Sequence, residues 1–395
     1  MEASAGIVLP AKALSEWAAD DIQRLVDLHI QESDTLEYKR EMYGGADEDT
    51  REMIRDIVAM ANHRGGHIVI GIEEDDDGAA TQLIGVEKND HVDRIRSSCL
   101  ANIDRRLNGL DVEDVDLDNG KVAVVIKVPQ SFNAPHMVTF RGLNQFWKRH
   151  GRQKEKMSVD ELQEAFDSAT QGVTLLERFI VERKRRLKER IGTATWMLLT
   201  ATPLFVRHEV VDTTDDAIRA ILEDRPPHPA RRINLSSSRF VPSLDGLRAE
   251  GTEGGELVDY IELHRNGHLE FATGSPWRQQ DRDWIPSELL VLFLERFLEI
   301  SATLWQRLGL LVPLAFTLSV FNARGLWLGL PSGVDPFHDS RHRPFTDGQH
   351  LELPILYVED VVGAHRTLLK RASDRLWNAF GQQSCGFLTD AGDWQ

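Results

Sequence analysis

Residues 53–74 read MIRDIVAMANHRGGHIVIGIEE, and the hydrophobic period of this stretch changes halfway along it. Met53, Ile54, Ile57, Val58 and Ala61 recur at helical spacing, so the segment from Asp49, a natural cap, to Ala61 is expected to be a helix. Asn62–Gly66 is a turn, where paired glycines admit positive φ. His67–Glu74 is then an apolar run ending in two acids, the pattern of a strand buried on both faces. An acidic, glycine-ended turn follows at Asp75–Gly78. A helix that feeds a buried strand in this way belongs to a layered domain containing both element types.

Working outward, Ser15–Ile30 reads as a helix capped by Ser15, with Ile22, Leu25 and Val26 on one face. Leu36–Arg40 is a short strand, and Gln82–Val86 folds back on the central strand as a hairpin. Asn89–Leu107 is a helix with Val92, Ile95, Cys99, Ile103 and Leu107 in a stripe. Val112–Asp118 and Lys121–Val128 flank Asn119-Gly120, a pair suited to a type I′ turn. Gln145–Lys148 is a short strand, and Ser158 with Glu161 makes a capping box for a helix over SVDELQEAF.

Val173–Arg190 is a long, polar helix containing the basic run LLERFIVERKRRLKER. It sets the expected organisation: a first domain over 1–170, a basic helical connector over 171–192, and a second domain over 193–395. In the second domain, strands are expected at Thr195–Leu199, Phe205–Val211, Leu257–Leu263 and His268–Phe271, the last two joined by Asn266-Gly267. A helix at Ser287–Leu308, a strand pair at Leu314–Phe321 and Gly325–Leu330, and a helix at Ala364–Phe380 complete it. Both halves are α+β, and there is no internal repeat.

Composition narrows the function classes. The 395 residues are 41% hydrophobic and 28% charged, as in globular domains. A formal net charge of −17 has the wrong sign for a protein that coats nucleic acid by bulk electrostatics. Contact with nucleic acid must therefore rest on a local basic strip. The two cysteines, Cys99 and Cys385, form neither a disulfide framework nor a zinc site, which fits a reducing, cytoplasmic setting. No signal peptide is expected at the N-terminus, and no apolar run reaches the roughly 20 residues that span a bilayer, so no membrane partner is expected.

The chemistry candidates begin at Glu32-Ser-Asp-Thr-Leu-Glu37-Tyr38-Lys39. In a strand, Glu37 and Lys39 share a face, and the loop before them lets Glu32 fold back toward it. A third acidic position lies at the end of the central strand, at Glu73 or Glu74. Three converging carboxylates suit a hard divalent cation such as Mg²⁺ or Mn²⁺, and a lysine beside them suits a phosphate oxygen. With 63 acidic residues in the chain, the plain alternative is solvated carboxylates with Lys39 as an ion-pair partner. Lys148, Arg149, Arg152 and Lys154 form the densest basic strip of the first domain. Phe146 and Trp147 just precede it, a mixture suited to RNA backbone and base contacts; Arg64 is a further candidate. In the C-terminal loop, Asp335, His338, Asp339, His342, Asp347 and His350 crowd together. Pro331, Pro336 and Pro344 break it, so solvated loop residues compete there with a metal site. No phosphate-cradling G-x-x-x-x-G-K-[ST] loop is present.

The segments ESDTLEYKR, IVAMANHRGGHIVIGIEED, LIGV and FWKRHGRQKEKMSVDEL, in that order over about residues 30–165, resemble the Schlafen and bacterial AlbA-related family. The resemblance implies an AlbA-like α+β domain, a small mixed sheet with flanking helices. It also implies a metal-dependent endoribonuclease acting on tRNA or other structured RNA, with DNA as a further partner. The family's two glutamates fall on Glu32 and Glu37, and its aspartate falls on Glu74, or on Glu73 one register earlier. Lys39 stands beside them. Glutamate in place of aspartate is one methylene longer, which changes the approach to a metal. A stress or anti-phage setting is implied, with the second domain as sensor, oligomer contact or protein-partner site. The rival expectations are a non-catalytic nucleic-acid-binding regulator and an interaction or assembly protein.

Overall fold

The computed structural model describes residues 9–10, 14–131, 133–204, 209–223, 235, 239–278, 284–310, 313–329, 343–358 and 361–394. The chain divides into two compact units, Met1–Thr174 with Gly309–Pro313, and Leu175–Leu308 with Leu314–Gln395. Each is α+β, and the first holds the small mixed sheet with flanking helices.

The first unit runs α1 (Ala19–Asp27), β1 (Leu36–Lys39), α2 (Asp47–Ala61), β2 (Gly66–Ile70), β3 (Ile72–Glu74), β4 (Ala80–Leu83), α3 (His91–Asn102), β5 (Ile103–Asp104), β6 (Asp111–Asp116), β7 (Val122–Val128), β8 (Met137–Val138), β9 (Gln145–His150) and β10 (Gln153–Lys156). Its main sheet has the order β1-β2-β7-β6, with β1 parallel to β2 and the other pairs antiparallel. Alternation explains the layers. Ile68, Ile70, Val124 and Ile126 face α2 and α3 in one core cluster. Leu36, Tyr38, Val69 and Val125 face α1 in another. Both faces are covered, which is why the central strand is apolar throughout. On edge strand β1, Glu37 and Lys39 take the face opposite Leu36 and Tyr38, the one that looks toward α2.

Four local expectations change. The helix expected from Ser15 begins at Ala19 after a 3₁₀ turn at Leu14–Glu16, because the Asp21 carboxylate accepts the Ala18 N–H at 2.7 Å and sets the start. The strand expected over His67–Glu74 breaks at Gly71 (φ 102°) into β2 and β3. A Cβ on Gly71 would lie 2.8 Å from the Gly85 backbone, so the break needs glycine. β3 pairs with β4 as a separate hairpin. α3 ends at Asn102, where the chain turns into β5 to pair with β8. The two helices expected after Ser158 are one, α4 (Val159–Ile191). No proline intervenes, and the single interior glycine costs only ~1 kcal/mol.

In the second unit, β11 (Trp196–Pro203), α5 (Asp216–Glu223), β12 (Val241–Pro242), β13 (Gly246–Glu253), β14 (Glu256–His264), β15 (Leu269–Thr273), α6 (Ser275–Arg278), β16 (Trp284–Ile285), α7 (Ser287–Arg307), β17 (Leu314–Phe321), β18 (Trp327–Leu328), β19 (Leu351–Glu352), β20 (Leu356–Val358) and α8 (Val361–Asn378) follow. The large sheet is ordered β12-β13-β14-β15-β11-β17-β19, with β20 also on β17, and is antiparallel. Phe271 and Phe316 meet Phe293 and Phe297 of α7 on one face. Leu187 of α4 packs with Trp196, Leu198, Tyr260 and Ala272 on the other. β18 does not return on β17 as expected; it pairs in parallel with β16. Residues 209–211 of the expected Phe205–Val211 strand are not in a strand, and 205–208 lie outside the described residues. Leu330 also lies outside them. Among the described residues, no helix is long and apolar enough to cross a membrane.

Candidate nucleic-acid-processing site

The site grows from edge strand β1. Lys39 Nζ lies 2.5 Å from Glu37 Oε1, as their shared face requires, and 3.7 Å from Asp56 Oδ2 of α2. Glu32 folds back: its Oε1 accepts the Tyr38 backbone N–H at 2.8 Å, and its own N–H donates to Gly78 O at 2.9 Å. Gly78 leaves room for the partner of Glu32, since a Cβ there would meet the Arg152 guanidinium at 2.5 Å.

The β9–β10 hairpin supplies the cations, and its register sorts them. Arg149 stands opposite Lys154, so the two share a face. Arg149 is buried and donates to Glu37 Oε2 and, at 3.2 Å, to Ser33 O. Lys154 donates to Glu52 and Asp56 of α2, which lie one helical turn apart. Arg152, at the hairpin turn, places Nε 3.2 Å from Glu32 Oε2 and donates to Asp77 O at 2.8 Å. Lys148 takes the opposite face and pairs with Glu155 and Glu161. Arg64 lies near Asp34 at 3.4 Å, where His63 Nε2 also meets that carboxylate at 3.1 Å. Trp147 is half-buried, between Arg55 at 4.8 Å and Lys156 at 5.8 Å from its ring.

The third carboxylate separates on β3, whose register against β4 shifts between Glu73 and Glu74. Glu73 pairs outward with Arg40, whereas Glu74 stands beside Glu32. Partial burial and the neighbouring Glu32 carboxylate raise the Glu74 pKa, against the pull of Arg152 and Lys39. Burial would raise Glu37 too, but Lys39 and Arg149 more than offset it and hold its carboxyl below the usual range. Burial and the Glu37 charge raise Asp56, which also accepts the Tyr43 hydroxyl at 2.7 Å. Burial would lower Lys39; Asp56 and Glu37 reverse that, so it stays protonated.

Glu32, Glu37, Glu74 and Lys39 therefore share one electrostatic network with Arg149, Arg152 and Lys154, and Glu73, Lys148 and Arg64 have partners elsewhere. Asp56, Glu52 and Tyr43 belong to the network and escape the sequence reading. The signal for Asp56 is a charge set directly among the apolar helix positions Met53, Ile54, Ile57 and Met60. The donor set, three carboxylates with two of them adjacent, has the chemistry a hard cation takes. Among the described residues, however, the three carboxylates are not within 4.8 Å of one another, and both Glu37 oxygens meet cationic side chains. Of the C-terminal loop candidates, Asp335, His338, Asp339 and His342 lie outside the described residues. His350 Nδ1 accepts the Asn322 N–H at 3.0 Å, a structural contact.

Residues 32–158 match the Schlafen, AlbA_2 family, a nucleic-acid-related family, over the same stretch that carries the sequence resemblance. Solved structures similar to part of the chain include the DIP2311 protein from Corynebacterium diphtheriae, at 22% identity and a TM-score of 0.26. That match covers 33% of this chain and 23% of the other, so it spans about a quarter of that protein's length. Another is the N-terminal domain of a RecG-related protein from Nitrosomonas europaea, at 19% identity, 29% and 74% coverage, and a TM-score of 0.23. None of the curated proteins matches the chain.

Proposed function

We propose that the Schlafen AlbA_2 domain makes this protein an endoribonuclease that depends on Mg²⁺ or Mn²⁺ and acts on tRNA or other structured RNA. The observation that carries the reading is the single network joining Glu32, Glu37 and Glu74 to Lys39, Arg149 and Arg152. Glu32, Glu37 and Glu74 would hold the cation, which supplies charge neutralisation and an acidified water. The rest falls to the chain's own side chains. Lys39 and Arg152 are the partly exposed cations, at 31% and 42% of their side-chain surface, and so are the ones a phosphate reaches first. A phosphate that draws Arg152 away frees Glu32, and one that draws Lys39 away frees Glu37 Oε1. Arg149 is buried and keeps Glu37 in place through the exchange. Substrate binding and exposure of the carboxylates are thus one event. The stress or anti-phage setting, and a sensing or partner-binding role for the second unit, extend this reading.

A second reading, a non-catalytic RNA-binding regulator, is favoured by the two cations that already satisfy Glu37. The two separate on a denaturing gel. Purified protein with total tRNA should yield discrete fragments in Mn²⁺ or Mg²⁺ and none in chelator. Intact tRNA throughout, with RNA bound, supports the regulator.

A further inference from the structure

In the second unit, the sheet face covered by α4 carries an unusual polar patch. Alternation on β14 places Glu262 and His264 there, and β15 adds Glu270 beside His268 from the Asn266-Gly267 turn. One ligand atom each from His264, His268 and Glu270 lies within 4.8 Å of the others, the one such group among the described residues. His268 and Glu270 are fully buried, and the His264 side chain is 8% exposed. Phe179 of α4 sets its ring edge-on to both imidazoles, at 5.9 and 4.7 Å, and shields them from water.

The donor geometry is specific. His268 Nε2 lies 3.3 Å from Glu270 Oε2, and its Nδ1 lies 2.8 Å from the Thr202 hydroxyl. In the metal-free site Nε2–H donates to Glu270 Oε2; with the proton on Nδ1 instead, donated to the Thr202 hydroxyl, the Nε2 lone pair is free for a cation, the orientation that metal-ligating histidines take from their second contact. His264 Nε2 is buried without a hydrogen-bond partner. It faces Glu262 Oε2 at 3.6 Å and Glu270 Oε1 at 4.0 Å, both beyond hydrogen-bond reach. A nitrogen aimed at two carboxylates without a bond to either is the arrangement a shared cation completes.

We propose that His264, His268 and Glu270 form a binding site for a borderline divalent transition-metal cation such as Zn²⁺, with Glu262 as fourth donor. Two imidazoles and carboxylate oxygens are the donor set such ions select over Mg²⁺ or Ca²⁺. Arg183 of α4 is the competitor: its guanidinium now grips Glu270 through Nε and Nη2 and reaches Glu262 at 3.0 Å. Metal entry displaces Arg183 from at least one Glu270 oxygen. Arg248, which donates to Glu262 at 2.7 Å, stays in place to balance the remaining charge.

The test uses the full chain, stripped with chelator and titrated with Co²⁺ as a spectroscopic stand-in for Zn²⁺. Wild type should bind Co²⁺ at one site with the visible bands of low-coordinate nitrogen and oxygen ligation, bands that equimolar Zn²⁺ removes and Mg²⁺ does not. His264→Gln should lose the bands, and a Glu32→Gln/Glu37→Gln chain should keep them. Arg183→Gln should bind more tightly, and Zn²⁺ should raise its melting temperature more than that of wild type. No bands in wild type at micromolar Co²⁺, or bands unchanged in His264→Gln, overturn the site. If His264→Gln does not fold, a melting temperature of Arg183→Gln that ignores Zn²⁺ does the same.

Discussion

Both units of this chain hold networks of glutamates and cations, and the two are built differently. In the first, the carboxylates come from a loop, an edge strand and a hairpin end, and Lys39, Arg152 and Glu74 reach solvent. In the second, Glu262 and Glu270 sit on interior strands of a large sheet, sealed under α4 with Arg183 and two imidazoles. Exposed ion pairs exchange partners at little cost, whereas buried ones lose several kcal/mol when one member is removed. The first network is suited to opening for a charged substrate, and the second to holding a helix on a sheet.

The largest effect that sharpens this contrast lies in the second unit. Arg183→Met leaves Glu270 without its main counter-charge and should cost about 3–5 kcal/mol of stability in urea denaturation of the metal-free protein. A loss under 1 kcal/mol would show that the buried network does not anchor α4. Within the first unit, Arg149→Gln should cost about 1.5–3 kcal/mol, because a buried, charge-assisted bond to Glu37 is lost while Lys39 remains. Arg152→Gln should change stability by no more than ~1 kcal/mol. It should nonetheless weaken RNA binding and reduce the salt slope by about one released counterion. An unchanged slope would place Arg152 outside the RNA path.

Acid behaviour gives the smallest effects, with opposite signs for two carboxylates. The folded-state pKa of Glu37 is depressed, so its charge contributes stability at neutral pH that is lost as pH falls through that depressed value. The folded-state pKa of Glu74 is raised, so its ionisation opposes folding at neutral pH. In chelator, Glu74→Gln should slightly raise the melting temperature at pH 7, and the gain should vanish as pH falls through the raised pKa. A lowered melting temperature at pH 7 would mean that Glu74 is held by a partner rather than repelled by Glu32.

Much of the first unit is legible from sequence, because its signals are local. The period change at residues 53–74 and the Asn119-Gly120 turn fall where the helix, strands and hairpin form. Lys39 pairs with Glu37 as their shared face suggests, and Glu32 folds back onto the Tyr38 N–H of β1. Asp56 is harder to see, since its partner Lys154 is 98 residues away in sequence. The choice between Glu73 and Glu74 depends on β3, which Gly71 separates from β2 and whose register against β4 shifts between those two residues. In the second unit, alternation groups Glu262, His264 and Glu270, but nothing local says that α4 covers that face. The pairing of Trp327 with Trp284 rather than β17 is likewise a tertiary choice that strand propensity does not encode.

The central claim rests on Glu37, the buried carboxylate on which Lys39 and Arg149 converge. Glu37→Gln keeps the shape of the side chain and removes its charge. We predict that initial-rate cleavage of total tRNA in Mn²⁺ falls at least about a hundredfold in this variant, with RNA affinity within a few fold of wild type. Cleavage at the wild-type rate in Glu37→Gln would contradict the account.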